Sequence, residues 1–345
     1  MEFPAASAVK LHQGIRMATN IDGFMREQLL DRRDKLEHAV RHHDAPDRLQ
    51  LLLEEVDSAL ARIDTGCYGI CESCHDTIEC ERLISDPLVR FCLDHLSKQE
   101  RNALERDLQL AAQVQKGLLP RQNLNRYGWQ ICYHYEPAGL VSGDYCDVID
   151  AGGAGLYFMV GDVSGKGVAA SMLMAHLHAM FRSLIAVELS LKCMLEHASR
   201  VFAGSTLPNQ YATLVCGRAQ PDGRVEISNA GHPAPFVIRD GEVLALEAAG
   251  LPIGMFGIEE FSVSELQLEP GQGLVIYSDG VSEATDTLGT EYSANRLREL
   301  IGCQQALNPS ALLAACSDDL TSFRRNAPKL DDVTLFVLGR STAVV

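Results

Sequence analysis

LYFMVGDVSGKGVAASMLMAHLHAMF, residues Leu156 to Phe181, is the stretch whose reading decides the fold. It runs as an apolar strand, a turn holding one carboxylate and three glycines, and then a helix. Asp162 falls where the buried strand ends, which places its carboxylate at a sheet edge or mouth. Gly161, Gly165 and Gly167 allow a tight bend and a close approach with no Cβ in the way. After about Val168, Met172, Leu173, Ala175, Met180 and Phe181 recur at spacings that suit one apolar helix face. Alone, such a turn is equally an N-cap or an Asx turn. Its meaning depends on partners elsewhere in the chain.

Around this stretch, from Trp129 onward, short β-like runs are bounded by Gly, Pro and Asp. Strands are expected near Trp129–Tyr135, Asp144–Ile149, Leu156–Asp162, Thr213–Ala219, Val225–Asn229, Pro235–Arg239, Glu242–Leu246, Ser262–Leu268, Gly273–Ser278 and Asp332–Leu338. Helices are expected at about 168–186, 190–203, 293–301 and 309–325. Strands and helices segregated into runs predict an α+β domain, with two antiparallel sheets flanked by helices.

Four acidic positions recur at the ends of those strands: Asp144 in VSGDYCD, Asp162 in GDVSGKG, Asp279 in YSDGVSEA, and Asp331-Asp332 in LDDVT. Each lies at or beside a turn from which its carboxylate can reach a common mouth. Gathered there, like charges repel and raise each other's pKa unless a cation neutralises them. Carboxylate oxygens without histidine or cysteine nearby suit hard ions, Mg²⁺ or Mn²⁺. Two such ions can bind a phosphate and lower the pKa of a shared water, with no protein nucleophile needed. Any one of these aspartates is an ordinary turn residue; the four together carry the metal reading.

The ordered motifs resemble the PPM (PP2C-like) serine/threonine phosphatases, in the SpoIIE/RsbU branch of bacterial regulators. They are A-x-x-V-Q-x-x-L-L-P (111–120), S-G-D-Y-x-D (142–147), the G-D-V-S-G-K-G turn, N-A-G-H-P-A-P (229–235), G-L-P-I-G (250–254), Y-S-D-G-V-x-E-A (277–284) and D-D-V-T (331–334). The resemblance implies a PP2C-like α/β/β/α sandwich in which Asp162 bridges two Mn²⁺ or Mg²⁺ ions. It implies that the Val163 carbonyl binds one ion and that Asp144, Asp279 and Asp331 complete the site, with Asp332 the alternative to Asp331. Cys146 replaces an aromatic residue common in the first motif. His232 reads as a loop-ordering residue, Lys166 as an exposed turn lysine, and His176 and His178 as packing or surface residues. Glu283 is a candidate for the surroundings of the metal ligands.

Upstream, residues 15–40 and 48–63 repeat apolar positions at helical spacing on either side of RHHDAPD (41–47), which reads as an antiparallel helical hairpin. Next come five of the eleven cysteines, between Cys67 and Cys92. Cys71 and Cys74 form a C-x2-C pair, and Cys92 and His95 form C-x2-H. Two chelating pairs separated by a loop suit one tetrahedral Zn²⁺ of structural type. Cys67 and Cys80 break the spacing and read as spare thiols, either of which could replace His95. The run A-L-A-R-I-D-x-G-x-Y-G-I-C-E-x-C resembles the DksA/TraR-type zinc finger, with His75 where that family carries glycine and His95 where it carries its fourth cysteine. Members of that family act on RNA polymerase through the tip of a long coiled coil, which this short hairpin lacks. KQERNALERDLQLAAQVQKGLLP (98–120) reads as one helix with an apolar seam for its own domain or for a dimer mate.

The expected organisation is a hairpin (1–66), a zinc finger (67–97), a linker or switch helix (98–120) and a phosphatase domain (121–341). A net charge of −16 argues against nonspecific nucleic-acid or anionic-membrane binding. No segment reads as a membrane span or signal peptide, and the unpatterned cysteines suggest a reducing cytoplasm. By resemblance, the substrate is a phosphorylated regulatory protein, a STAS-type anti-sigma-factor antagonist in partner-switching signalling, with the zinc finger regulating its hydrolysis. The alternative is an adaptor, for instance at RNA polymerase, that keeps the phosphatase shape for binding. A redox sensor that releases zinc on oxidation is a third reading.

Overall fold

The computed structural model describes residues 25–37, 46–79, 82–83, 86–95, 98–207, 210–246, 250–255, 260–303, 307–325 and 327–341. Residues 15–24 and 38–40 of the expected first helix, residues 41–45 of the expected tip, and Cys80 lie outside them. The chain divides into two compact units, Met1–Glu105 and Arg106–Val345.

In the first unit, α1 (25–37) and α2 (Pro46–Asp64) are helical. Met25 and Leu29 from α1 and Val56, Ala59 and Leu60 from α2 share a core with Tyr68, Cys71, Ile78, Leu83 and Cys92. This small core gathers the apolar faces of both helices onto the cysteine-rich segment. Helix α3 (Lys98–Leu118) begins in this unit and ends in the second.

The second unit holds two sheets, both antiparallel throughout. One contains β1 (Asn123–Arg126), β2 (Trp129–Glu136), β11 (Val333–Arg340), β10 (Gly273–Tyr277), β7 (Phe236–Arg239) and β8 (Glu242–Ala245), in that order. The other contains β3 (Asp144–Asp150), β4 (Leu156–Val163), β5 (Ala212–Ala219), β6 (Arg224–Ala230) and β9 (Ser264–Gln267). Period-two alternation explains the layering. Leu156, Phe158 and Val160 of β4 face a core shared with Trp129, Ile131, Ile276 and Phe336 of the opposite sheet. Phe158 and Phe336 stack there with centroids 5.9 Å apart. Tyr157, Met159 and Val163 point the other way, onto α4 (Gly167–Ile185) and α5 (Leu191–Ser205). Beyond α6 (Asp279–Ser282), α7 (Ala294–Gly302) and α8 (Pro309–Arg324) cover the outer face of the first sheet. The result is the expected α/β/β/α sandwich.

By length and composition α4 is apolar enough to cross a membrane, which corrects the reading that no segment could. Its Ala170, Met174, Leu177, Met180, Phe181 and Ile185 are buried, and all but Ala170 belong to the core beneath it. A core helix passes the same test because it too buries an apolar face. Cys146 is buried in the inter-sheet core, where the absent aromatic ring is a matter of packing.

Candidate metal centre

The two sheets bring the separate aspartates to one end of the sandwich. Asp144 and Asp162 face each other directly across the β3–β4 ladder. Asp279 opens the one-turn α6 just after β10, and Asp331 lies just before β11, the strand paired with β10. The charges feel one another. Burial first, then Asp279, Asp331 and Asp332, push Asp162 up to about 7. Asp279 is raised by burial and then by Asp331, against the opposing pull of the Gly280 amide and Lys166. Asp144, fully buried, is held well above the usual carboxylate range by burial and then by Asp162.

The backbone leaves room in front of Asp162. A Cβ on Gly143 would stand 3.1 Å from both Asp162 Oδ1 and the Val163 carbonyl oxygen. Glycine therefore keeps open a space lined by two oxygens expected to bind a metal. Gly165, at φ +99°, takes a left-handed turn that ordinary residues resist and lets the chain enter α4. An all-oxygen donor set, in which Asp144, Asp162 and Asp279 are raised by burial and then by neighbouring carboxylates, fits hard divalent cations.

Several residues around this cluster carry roles that the sequence reading did not assign. Thr334 donates its hydroxyl to Asp144 Oδ2 at 2.5 Å. The Thr334 amide donates in turn to Ser278 Oγ at 2.9 Å. Asp332 accepts from the amides of Ala138 (2.7 Å) and Gly143 (2.8 Å), so its carboxylate braces the 138–143 loop. Asp331 meets Lys166 Nζ at 2.8 Å, and that ammonium also donates to the Leu330 carbonyl at 2.7 Å. Gln115 of α3 donates to the Ser142 carbonyl (2.7 Å) and accepts from the Ser142 amide (3.0 Å). Asp147 is wholly buried and is gripped by Arg182 through bonds of 2.9 and 3.0 Å, with His178 at 3.6 Å. Most of these residues sit inside the motifs already quoted, and that placement is the signal that could have found them.

The other candidates fall as follows. Buried His232 is held neutral by burial, its pKa lowered to about 3. Its Nδ1 meets Thr213 Oγ1 at 2.9 Å, and Asn229 bonds both its amide and its carbonyl, so it orders its loop. Its Nε2 has no hydrogen-bond partner among the described residues. His176 lies edge-on to Phe202, and His178, on α4, faces Asp147. Glu283 lines a 140 Å³ cleft with Lys166 and Asp331. Burial, then Asp279, raises its pKa.

In the first unit, one ligand atom from each of Cys71, Cys74, Cys92 and His95 lies within 4.8 Å of the other three. Burial pushes the Cys71 thiol up, but amides of Cys92, Cys74 and Ser73 outweigh it and hold the group below the usual thiol range, while its neighbour Cys74 is raised. Cys67 is exposed and outside this set. His75 has φ +61°, a left-handed position that explains why glycine suits it in the resembling finger.

The family model for Stage II sporulation protein E (SpoIIE) matches residues 152–341. The chain is 26% identical over 268 residues to Protein IcfG of Synechocystis sp., covering 68% of this chain and 42% of that one. It is 32% identical over 190 residues to the phosphoserine phosphatase RsbP of Bacillus subtilis, covering 52% and 46%. With the phosphoserine phosphatase RsbU of the same organism it shares 25% identity over 240 residues, covering 69% and 71%. It thus spans less than half the length of IcfG and RsbP. Among solved structures, the SiaA-PP2C domain of Pseudomonas aeruginosa matches with a TM-score of 0.61 at 18% identity, over 70% of this chain and 98% of that one. The RsbU and RsbW domains of Rv1364c from Mycobacterium tuberculosis match at 0.54 and 26% identity, over 63% and 61%.

Proposed function

The chain belongs to the SpoIIE family, and from that premise we propose that it is a metal-dependent protein serine/threonine phosphatase acting on a phosphorylated regulatory protein. The observation that carries this reading is the convergence of Asp144, Asp162, Asp279 and Asp331, with Asp162 raised to about 7 by burial and by its neighbours. Asp162, Asp144, Asp279 and Asp331 would hold two Mn²⁺ or Mg²⁺ ions, with the Val163 carbonyl as a further donor. Bound there, the ions supply Lewis-acid activation of water and neutralise phosphoryl oxygens. The chain's own part is to hold these carboxylates. Thr334 fixes Asp144, Asp332 fixes the loop carrying Gly143, and Gly143 keeps the space before Asp162 clear.

The names of RsbP and RsbU, both phosphoserine phosphatases, support a phosphoserine or phosphothreonine substrate. By family resemblance that substrate is a STAS-type anti-sigma-factor antagonist in the cytoplasm. Cys71, Cys74, Cys92 and His95 form a DksA/TraR-like finger around one structural Zn²⁺, and this module regulates the phosphatase through α3. Leu110 and Val114, 60% and 59% exposed, leave α3 an apolar face that a second copy could cover. The decisive measurement is Mn²⁺-dependent hydrolysis of p-nitrophenyl phosphate by the unaltered protein and by Asp279→Asn. Turnover abolished in the variant supports the enzyme. No turnover in either protein refutes it and favours an adaptor. Deleting residues 1–97 tests the regulation, which fails if activity and its control do not change.

A further inference from the structure

Gln115 occupies an unusual place for a helix glutamine. It is 6% exposed, on the last turn of α3, and both ends of its amide are spent on the main chain of one residue, Ser142. Donation from Nε2 to the Ser142 carbonyl at 2.7 Å, and acceptance by Oε1 from the Ser142 amide at 3.0 Å, fix distance and rotation together. Ser142 is itself fully buried and begins the run that builds the metal centre. Its hydroxyl accepts from the Asp144 amide at 3.0 Å. Next in the chain, Gly143 donates to Asp332 and its carbonyl accepts from the Val163 amide at 3.3 Å. Three hydrogen-bonded steps therefore join α3 to the backbone of Asp144, Gly143 and Val163.

Leu118 packs against the core beneath α4, and the exposed side of that helix end is held more loosely. Leu110, Val114 and Leu118 face Met172 and Ala175 of α4 across an open apolar groove of 470 Å³. Met172 is 68% exposed, so the groove is no closed core. Close-packed cores resist sliding, and the exposed Leu110, Val114 and Met172 side of this contact lacks that resistance. A helix rises about 1.5 Å per residue, so a displacement of about 1 Å would break bonds of this length. The amide clamp is thus the point at which a small movement of α3 reaches the metal ligands.

Building on the metal-centre reading above, we propose that Gln115 is a positioning residue that ties the setting of α3 to divalent-cation affinity at Asp144 and Asp162. With α3 in register, the clamp holds the 142–144 backbone ready for the ion. With α3 displaced, the loop slackens and affinity falls.

The test uses the full chain, stripped of loosely bound metal and titrated with Mn²⁺ alone. Gln115→Met keeps the length and removes both hydrogen bonds. It should weaken Mn²⁺ binding about tenfold, which is the 1.4 kcal/mol step in an equilibrium constant. Amide exchange of residues 139–144 should rise, and kcat should return towards the unaltered value at saturating Mn²⁺. Gln115→Glu retains only the acceptor for the Ser142 amide and should shift in the same direction, which keeps the test open should the methionine variant fold poorly. Tyr133→Phe is the control. It removes the bond from Tyr133 Oη to the Pro120 carbonyl just beyond α3 without touching Ser142, and should leave Mn²⁺ affinity unchanged. Affinity in both Gln115 variants within twofold of the unaltered protein overturns the proposal, as does an equal loss in Tyr133→Phe. If the unaltered protein binds no Mn²⁺, the metal-centre reading itself falls. Equal binding by all proteins removes the clamp alone.

Discussion

Asp331 and Asp332 are adjacent and chemically identical, and the proposed function gives them opposite roles, so exchanging each for asparagine separates metal binding from support. Asp332 accepts two main-chain amides, from Ala138 at 2.7 Å and Gly143 at 2.8 Å. A hydrogen bond to a charged group contributes about 1.5–3 kcal/mol, and an asparagine amide turned towards either N–H would oppose it. Allowing for the partly exposed loop, Asp332→Asn should cost about 2–4 kcal/mol. In a unit of this size that lowers Tm by roughly 6–12 °C. Asp331 instead pairs with Lys166, side chains 44% and 68% exposed, so the pair contributes about 0–1 kcal/mol. Removing its charge also relieves repulsion at Asp162 and Asp279. Metal-free Asp331→Asn should therefore melt within about 2 °C of the unaltered protein. Its Mn²⁺ affinity should fall by more than the roughly 100-fold seen for supporting residues of metal sites. Thermal melts in chelator, set beside Mn²⁺ titration, read both quantities. The reasoning is refuted if Asp332→Asn keeps its Tm yet loses the metal, while Asp331→Asn retains it.

Arg182→Ala leaves the buried Asp147 carboxylate without its main partner; discounted for the half-exposed arginine, the loss should be about 2–4 kcal/mol in urea melts, and an unchanged midpoint would show that His178 or water replaces it. Asp162 titrates upward, so the metal-free folded state binds more protons than the unfolded chain between pH 4 and about 7, and its contribution to stability is lost as pH rises through that window. Asp162→Asn should accordingly raise the metal-free Tm at pH 8 but not at pH 4, and remove any stabilisation by Mn²⁺; a lower Tm at pH 8 would contradict it. Purified protein should carry one zinc per chain, and Cys92→Ser should lose it along with the early melting phase of the first unit, leaving the melting of the second unit in place. Equal zinc in both proteins would exclude Cys92 as a ligand.

The sandwich is legible in the sequence because its information is local. Leu156 to Val163 sends successive side chains into two cores, and its short, nearly unbroken apolar run announces a strand buried on both faces. The acidic turns are legible for the same reason, since turn chemistry marks strand ends. Strand β1 and the one-turn α6 go unmarked because Asn-Leu-Asn-Arg is polar and mostly exposed, and because α6 lies inside an acidic turn motif that reads as a loop. Gln115–Ser142, Thr334–Asp144 and Arg182–Asp147 lie beyond such reading, for they join residues 27, 190 and 35 positions apart. Which side chains meet across that separation depends on sheet register, which no short window contains.

The Asp331-Asp332 pair shows how the two kinds of information meet. Backbone alternation just ahead of β11 sends consecutive side chains to opposite sides. One carboxylate reaches the mouth and Lys166, the other the amides of the 138–143 loop. A single aspartate could not do both. With Asp331 alone, the Gly143 amide would lose its partner, and the space before Asp162 would lose its wall. With Asp332 alone, the wall would stand but the mouth would lose a ligand. The dipeptide therefore places the proposed metal donor and the support for the facing loop in one segment, clamped to Ser278 by Thr334. This arrangement requires that loosening the 138–143 loop and removing a ligand weaken metal binding by different routes, and only the first should be recovered by more Mn²⁺.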